Sequence, residues 1–340
     1  MKQRVLFIVN PVSGTGSKQK ILAAVEQYLN TNLFIPEIRE TQRAGHAEEI
    51  AREAAADAVD VVVAIGGDGT VNEVGRGLIG TSTALGIIPC GSGNGLARHL
   101  HIPLIPRQAV ELLNSRVIHT LDYGRIDGNP FFCTCGVGFD AILSKGFAEA
   151  GRRGLITYLE QALKQWLSFR PQSYIIEDAL GRHHYEAFLI ACANASQYGN
   201  NAYIAPEASM SDGLMDVVVI EPFNMWEAAE MALQLFSRTI LFNSHVKVFK
   251  SDHIRIRRSG GGVIHCDGDP LIAGETVDVQ LIEKGLRVVV CPPEMKKQPY
   301  VEHAFESSMR QFYGFQQQFQ HGREQLGRLS KESLGLLKKK

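Results

Sequence analysis

A run of β-branched residues that stops at a cluster of glycines constrains this chain more than any other segment. Residues 61–65 are Val-Val-Val-Ala-Ile, and Gly66-Gly67-Asp68-Gly69-Thr70 follows directly. Such a run is typical of a buried parallel strand. Glycines permit positive φ angles and let a ligand approach the backbone, and a helix that starts there presents free N–H groups to anions. The segment therefore predicts a phosphate-binding turn between a strand and a helix.

Asp68 lies inside this predicted anion site. A carboxylate there would repel phosphate oxygens unless it had a cation or a proton to handle, so its presence favours phosphoryl transfer with Mg²⁺ over simple phosphate binding. A glycine turn that serves only close packing is the alternative interpretation of this segment taken alone.

Two further polar, glycine-containing loops also follow directly after apolar strands. The apolar residues 4–9 lead into Asn10-Pro11-Val12-Ser13-Gly14, and residues 84–89 lead into Cys90-Gly91-Ser92-Gly93-Asn94. Ligands of open α/β sheets bind just beyond the carboxyl ends of the strands. Three such loops at one edge predict a nucleotide site and make three independent packing turns an unlikely coincidence.

The pattern of strands and helices changes near residue 122. Before it, strands near 4–10, 34–40, 59–65 and 84–89 alternate with helices near 18–31, 46–57 and 71–80, which predicts a doubly wound α/β domain over 1–122. After it, short alternating strands predict an antiparallel β-sandwich over 123–292, interrupted by helices near 154–168 and 224–240. Residues 293–340 are predicted to be a helical tail that could pack on the first domain.

Composition is that of an ordinary globular protein. The chain has 340 residues, 45% of them hydrophobic, and a formal net charge of −1, so it offers no global field for nucleic acid. Six cysteines without a Cys-x-x-Cys pair indicate reduced thiols. The chain starts directly in a predicted strand, and no apolar run approaches the roughly 20 residues that span a bilayer. We therefore expect a cytoplasmic protein that contacts the inner membrane surface transiently and peripherally; a homodimer is compatible with the sequence.

In order along the chain, several motifs resemble the catalytic domain of the diacylglycerol kinase and sphingosine kinase family. They are Asn10-Pro11 with Ser13-Gly14, Gly66-Gly67-Asp68-Gly69-Thr70 with Asn72-Glu73, Gly91-Ser92-Gly93-Asn94, Gly136-Val137-Gly138-Phe139-Asp140, Ala205-Pro206 with Asp212-Gly213-Leu214, and Cys266-Asp267-Gly268-Asp269. The resemblance implies a Rossmann-like, phosphofructokinase-type first domain, a lipid-binding second domain, and the cofactors ATP and Mg²⁺. The expected activity is transfer of the γ-phosphoryl group of ATP to a lipid hydroxyl.

The nucleotide site is expected to use residues of the three loops and of their surroundings. Lys18, Thr41 and Arg152 each fit an ordinary surface or structural role as well. The full set is Asn10, Ser13, Lys18, Thr41, Gly66, Gly67, Gly69, Thr70, Glu73, Gly91, Ser92, Gly93, Asn94 and Arg152.

Three carboxylates are the expected catalytic residues: Asp68, Asp267 and Asp269. Asp267 is assigned as the general base, although the sequence does not decide whether it or Asp68 takes the proton, and an Asp-Gly turn is the structural alternative. Asp269 stands where the family usually has glutamate, so its reach is one methylene shorter. The resemblance also implies a structural Mg²⁺ bound by the Asp212 carboxylate and by the carbonyls of Ser209 and Leu214.

Small differences from the family's motifs predict which lipid is the acceptor. Gly95 follows Asn94 where the diacylglycerol kinases more often carry aspartate and the sphingosine kinases alanine, which favours a sphingoid base over the alternative, diacylglycerol. Asp140 and Ser144 are the candidates for head-group binding. An NAD kinase and a non-catalytic nucleotide-binding protein are the remaining alternatives.

Overall fold

The computed structural model describes residues 2–11, 18–149, 165, 166, 168–293 and 295. Met1–Pro292 and Pro293–Lys340 form two separate compact units, and the described helices and strands all belong to the first. The helix predicted near 154–168 and the predicted tail lie almost entirely outside the described residues, as do Ser13 and Arg152.

The described residues form seven α-helices and sixteen strands. The helices are α1 Lys18–Tyr28, α2 His46–Ala56, α3 Asp68–Leu78, α4 Gly95–His99, α5 Pro106–Leu113, α6 Phe139–Glu149 and α7 Met225–Ser237, followed by a 3₁₀ helix at Ile240–Phe242. The strands are β1 Gln3–Val9, β2 Phe34–Glu40, β3 Val61–Gly66, β4 Ala84–Pro89, β5 Ile118–Ile126, β6 Asn129–Phe131, β7 Thr134–Gly138, β8 Gln172–Asp178, β9 Gly181–Ala187, β10 Leu189–Ala193, β11 Met215–Ile220, β12 Val246–Ser251, β13 His253–Arg258, β14 Gly262–Cys266, β15 Asp269–Ala273 and β16 Thr276–Val289.

The amino-terminal part is a doubly wound α/β layer, as the sequence predicted. Strands β2, β1, β3 and β4 are parallel and adjacent in that order. Residues of β3 and β4 are buried on both faces, since α2 and α3 cover one face and Leu113 of α5 packs over Gly86 on the other. Continuous apolar strands are what a sheet covered on both faces requires.

One long strand, β16, joins the parallel part of the first sheet to its antiparallel part. It pairs in parallel with β4 at Val288↔Leu85 and antiparallel with β5 and β13. Lys284 and Gly285 form a bulge in β16 between Ile282 and Leu286, with Lys284 at φ 51°. Strands β5 and β15 and helices α4, α5 and α6 were not predicted. The domain boundary predicted at residue 122 falls within β5 and stays a prediction.

The carboxyl-terminal part is the predicted antiparallel β-sandwich. A second sheet, in the order β12-β11-β10-β7-β14-β15, packs on the antiparallel part of the first. Their shared core brings Tyr174 and Ile256 from the first sheet against Ile190 and Met215 from the second. On the other face of the second sheet lie α6 and α7, which are packed through an aromatic cluster around Phe188.

Candidate active site

A cleft opens at the carboxyl ends of β3 and β4 and extends to the β-sandwich. Its volume is about 110 Å³, larger than a single water molecule requires. Val71, Ile87 and Phe132 form apolar walls beside polar side chains, and ligand sites combine both kinds of lining. The polar lining side chains are Asp68, Asn72, Asn94, Thr134, Asp140, Ser144, Tyr198, His265 and Asp267.

The glycine turn before α3 is shaped by close packing and has no positive φ angles. None of Gly66, Gly67 and Gly69 is left-handed, and Gly67 is an extended helix N-cap with φ −90°. The expectation of positive φ was wrong, and α3 begins at Asp68, three residues before the predicted start. Glycine is required because a Cβ on Gly66 would overlap the Thr70 side chain, and one on Gly91 would lie 2.6 Å from the Gly67 Cα.

Gly69 differs from its neighbours in having open space beside it. It is exposed in the first turn of α3, and a Cβ there would meet no atom within 4 Å. No packing contact within the described residues therefore requires glycine at position 69. A ligand that approaches the first N–H groups of α3 is a physical reason for the missing side chain.

Asp68 lies between the two glycine loops and accepts two backbone hydrogen bonds. The N–H groups of Asn94 and Gly95, at the start of α4, donate to its Oδ2 and Oδ1 atoms at 2.8 Å and 2.6 Å. The Asn94 side chain closes the same loop, because it both donates to and accepts from the backbone of Gly91. The loop after β4 thus holds Asp68 in one orientation at the cleft.

Asp267 accepts four hydrogen bonds from two different parts of the chain. Oδ1 accepts from the N–H groups of Cys133 and Thr134 at 2.8 Å and 3.0 Å. Oδ2 accepts from the N–H of Phe132 at 2.8 Å and from Asn72 Nδ2 at 2.7 Å. Burial raises the pKa of the Asp267 carboxyl, and the four N–H donors oppose that rise.

The turn that carries Asp267 is a two-residue hairpin between β14 and β15. Asp267 and Gly268 have φ angles of 48° and 88°, as Asp-Gly hairpin turns require. The same turn places Asp269 opposite Cys266 at the start of β15, where it is exposed and does not line the cleft. The Asp-Gly signal in the sequence therefore has both a turn role and a site role.

A polar cluster around Asp140 forms another wall of the cleft. Asp140 lies in the first turn of α6, and its Oδ2 accepts from Tyr198 Oη at 3.2 Å and from His265 Nε2 at 3.0 Å. The Gly268 N–H points to His265 Nδ1 at 3.4 Å, which is consistent with a ring hydrogen on Nε2. Ser144 also lines the cleft, and its hydroxyl donates to the Asp140 carbonyl.

Four polar residues that line the cleft were not predicted: Asn72, Thr134, Tyr198 and His265. Asn72 was visible in the sequence as part of the motif Thr70-Val71-Asn72-Glu73, one helical turn after Asp68. Tyr198 and His265 gave no signal, because a tyrosine in a loop and a histidine in an apolar strand resemble ordinary structural residues.

Other predicted nucleotide residues gather at the carboxyl ends of β1, β2 and β3. Asn10 Nδ2 donates to Thr70 Oγ1 at 3.1 Å, and the buried Thr41 is bonded through its N–H to the Val9 carbonyl. Lys18 Nζ lies 2.8 Å from Cys90 Sγ, next to the loop that contains the exposed Ser92.

Two predicted site residues have structural partners away from the cleft. Glu73 Oε2 accepts from the N–H of Ala47 and so caps the first turn of α2. Asp212 Oδ2 is paired with Lys250 Nζ at 2.9 Å, and the same ammonium group binds Asp216. The described residues contain no group of three or more His, Cys, Asp or Glu side chains arranged to hold a metal ion.

Comparisons with known proteins identify two family domains in this chain. The family "Diacylglycerol kinase catalytic domain" matches residues 4–126, and "YegS C-terminal NAD kinase beta sandwich-like domain" matches residues 134–290. The protein named "Diacylglycerol kinase" of Bacillus subtilis is 29% identical over 287 residues, which are 82% of this chain and 94% of that protein. A Xanthomonas campestris protein named "Probable lipid kinase YegS-like" is 30% identical over 207 residues, 57% of this chain and 67% of that protein.

Solved structures show the same fold. A crystal structure described as a diacylglycerol kinase from Bacillus anthracis superposes with a TM-score of 0.66 at 20% sequence identity. The match covers 85% of this chain and 97% of that one. The α/β layer and the sandwich therefore occur together in both proteins.

Proposed function

Because this chain belongs to the diacylglycerol kinase family of lipid kinases, we propose that it transfers the γ-phosphoryl group of ATP to the hydroxyl group of a lipid. The observation that carries this proposal is the position of Asp68. Its carboxylate lines a single cleft together with the loop after β4 and the Asp140 cluster. A phosphoryl donor and an alcohol acceptor can meet there with a carboxylate between them.

The triphosphate is proposed to bind the first turn of α3. The N–H groups of Gly67, Gly69 and Thr70 begin that helix, whose positive end favours phosphate oxygens, and the open space at Gly69 leaves room for them. Asn10 and Ser92 would supply side-chain contacts. Mg²⁺ bound with the nucleotide would be held by the phosphates and by Asp68, since Mg²⁺ in such sites uses one or two carboxylates. When bound, it neutralises phosphate charge.

Asp68 is proposed to receive the proton. The lipid hydroxyl oxygen forms a bond to the γ-phosphorus, the bond from that phosphorus to the β–γ bridging oxygen breaks, and ADP leaves. The hydroxyl proton passes to the Asp68 carboxylate, which carries two N–H donors and has room for further partners.

We propose a sphingoid base as the first candidate acceptor. The Asp140 carboxylate faces the cleft and could accept from an ammonium or hydroxyl group of such a lipid. Diacylglycerol is the second candidate, because several relatives are named diacylglycerol kinase. The glycine at position 95 does not discriminate between a sphingoid base and diacylglycerol. A Cβ at this position would lie 3.3 Å from the Gly199 nitrogen, so loop packing alone is a sufficient reason for glycine.

The structural Mg²⁺ expected at Asp212 stays a prediction. In the structure, the ammonium group of Lys250 supplies a positive charge to this carboxylate and to the buried Asp216. Among the described residues, no helix is long and apolar enough to span a membrane. Contact with the lipid acceptor is proposed to be peripheral, from the cytoplasmic side.

The test is transfer of labelled γ-phosphate from ATP with Mg²⁺ to detergent-dispersed sphinganine, sphingosine, diacylglycerol and, as a control acceptor, NAD. We expect a lipid product that Asp68→Asn reduces by at least 10³-fold, as loss of a proton acceptor and phosphate-site carboxylate would. Asp57→Asn, a change at an exposed acid that ends α2, is the matched control. Product from NAD alone, or ATP binding without any phosphorylated lipid, would refute the proposal.

A further inference from the structure

We infer that Asp267 is a positioning residue that fixes α3, and with it Asp68, relative to the β-sandwich, and that it does not receive the proton. This inference rests on the proposed kinase function. It reverses the sequence-based assignment of Asp267 as general base, and the hydrogen bonds of the carboxylate carry it.

The first step is a count of lone pairs. An ionised carboxylate offers about four acceptor positions, two on each oxygen. Each Asp267 oxygen accepts two N–H groups, at distances of 2.7–3.0 Å. To take a proton from a lipid hydroxyl, Asp267 would have to release one of these donors. A buried donor left without a partner costs about 1–3 kcal/mol.

Asp68 presents a different arrangement at the other side of the cleft. Two backbone N–H groups bind it, one on each oxygen. Half of its acceptor positions thus remain for the hydroxyl group or for a cation. Of these two carboxylates, Asp68 can approach the acceptor without breaking a bond that the fold requires.

The second step is the connection between the two aspartates. Asn72 follows Asp68 by four residues in α3, so the two side chains lie on the same face of the helix. Asn72 is buried, with 5% of its surface exposed, and it donates to Asp267 Oδ2. The charged acceptor makes this bond stronger than one between neutral groups. Asp267 therefore acts on Asp68 through one turn of α3.

The third step is what Asp267 holds on its other side. Phe132, Cys133 and Thr134 link β6 to β7, and their three successive N–H groups point at the carboxylate. The Asp267 N–H in turn donates to the Thr134 carbonyl at 2.8 Å. The sandwich strands and the helix of the glycine turn are thus joined through one side chain. A shift of about 1 Å at a reacting group can reduce a rate about 100-fold.

The experiment compares Asp267→Asn, Asn72→Asp and the double variant Asn72→Asp/Asp267→Asn. In Asp267→Asn, an NH₂ group faces the N–H donors that the carboxylate accepted. In Asn72→Asp, the new carboxylate faces the carboxylate of Asp267. We therefore expect each single variant to lose about 100-fold in kcat. In the double variant the carboxylate at 72 accepts from the amide at 267. We expect it to recover at least fivefold over Asp267→Asn. Asn32→Asp, at an exposed asparagine after α1, is the charge control.

The pH profile separates positioning from proton transfer. Residual kcat/KM of Asp267→Asn should depend on pH with the same shape as in the wild type, because Asp68, the proposed proton acceptor, is unchanged. A changed shape, or a double variant no more active than Asp267→Asn, would overturn the inference. If Asp267→Asn does not fold, Asn72→Ala replaces it. That variant keeps the Asp267 carboxylate, and a positioning role predicts at least a tenfold loss of kcat, whereas wild-type kcat would overturn it.

Hydrogen exchange tests the inference independently of catalysis. Exchange of the amides of residues 132–134 should accelerate at least tenfold in Asp267→Asn and remain unchanged in Asn32→Asp. A wild-type protein without lipid kinase activity but with this exchange pattern would refute the proposed function and leave the anchoring role intact. Unchanged exchange would overturn the anchoring role itself.

Discussion

Substitution of Gly69 by alanine should stabilise the fold and weaken ATP binding. Gly69 lies in the first turn of α3, has a negative φ, and has no atom within 4 Å of its hypothetical Cβ. Alanine is better than glycine in a helix by up to about 1 kcal/mol, partly because it restricts the unfolded chain. We therefore expect Gly69→Ala to raise the melting temperature by about 1–2 °C for a chain of this size.

The effect on the nucleotide should have the opposite sign. If phosphate oxygens occupy the open space, the new methyl group displaces them from N–H groups of the turn. A hydrogen bond to a charged group is worth about 1.5–3 kcal/mol, and each 1.4 kcal/mol corresponds to a factor of ten. The KM for ATP should thus rise at least tenfold. Differential scanning fluorimetry and initial-rate kinetics at saturating lipid measure the two quantities.

Gly77→Ala, in the same helix, is the matched control. Its Cβ would lie 2.6 Å from the Glu48 carbonyl oxygen and 2.8 Å from the Ala51 Cβ, about 1 Å closer than a favourable contact. Overpacking costs about 1–3 kcal/mol, so this variant should melt at a lower temperature while its KM for ATP stays near wild type. A Gly69→Ala protein that is more stable but binds ATP normally would refute the placement of the phosphates.

Three further predictions concern the fold. Glu73→Ala should lower the free energy of unfolding by about 0.5–2 kcal/mol, because the first turn of α2 loses the acceptor of the Ala47 N–H; urea denaturation measures it. Burial raises the pKa of Tyr174 to about 12, so absorbance at 295 nm should show a phenol that ionises only near that pH, and Tyr174→Phe should remove this step. Since the folded pKa exceeds the unfolded value of 10.0, stability should fall as the pH rises from 10 to 12, less steeply in Tyr174→Phe. Burial also raises the pKa of the thiols of Cys135 and Cys266. Both thiols should therefore resist iodoacetamide at pH 8 until urea unfolds the protein. Labelling of the folded protein at the rate of a free thiol would contradict their burial.

The sequence alone was sufficient for the architecture of the parallel layer. Apolar strands followed by glycine-rich loops have few alternative structures, because a strand buried on both faces must be apolar and its ligand loops must lie at one edge. The helix carrying Asp68 was predicted for the same reason, although the conformation of its glycines was not. Positive φ and close packing both require glycine, and only neighbours such as Thr70 and Gly91 distinguish them.

The tertiary structure decided what each polar side chain does. Asp267 was recognised from an Asp-Gly pair, but its donors come from residues 132–134 and from Asn72, which is 195 positions away in the chain. Glu73 belongs to the motif that was predicted to bind the nucleotide, but its carboxylate caps α2. A local pattern specifies the backbone of its own segment, because that conformation depends on nearby residues. The partners of a side chain depend on which distant segments the fold brings within hydrogen-bond distance, and no local pattern contains that information.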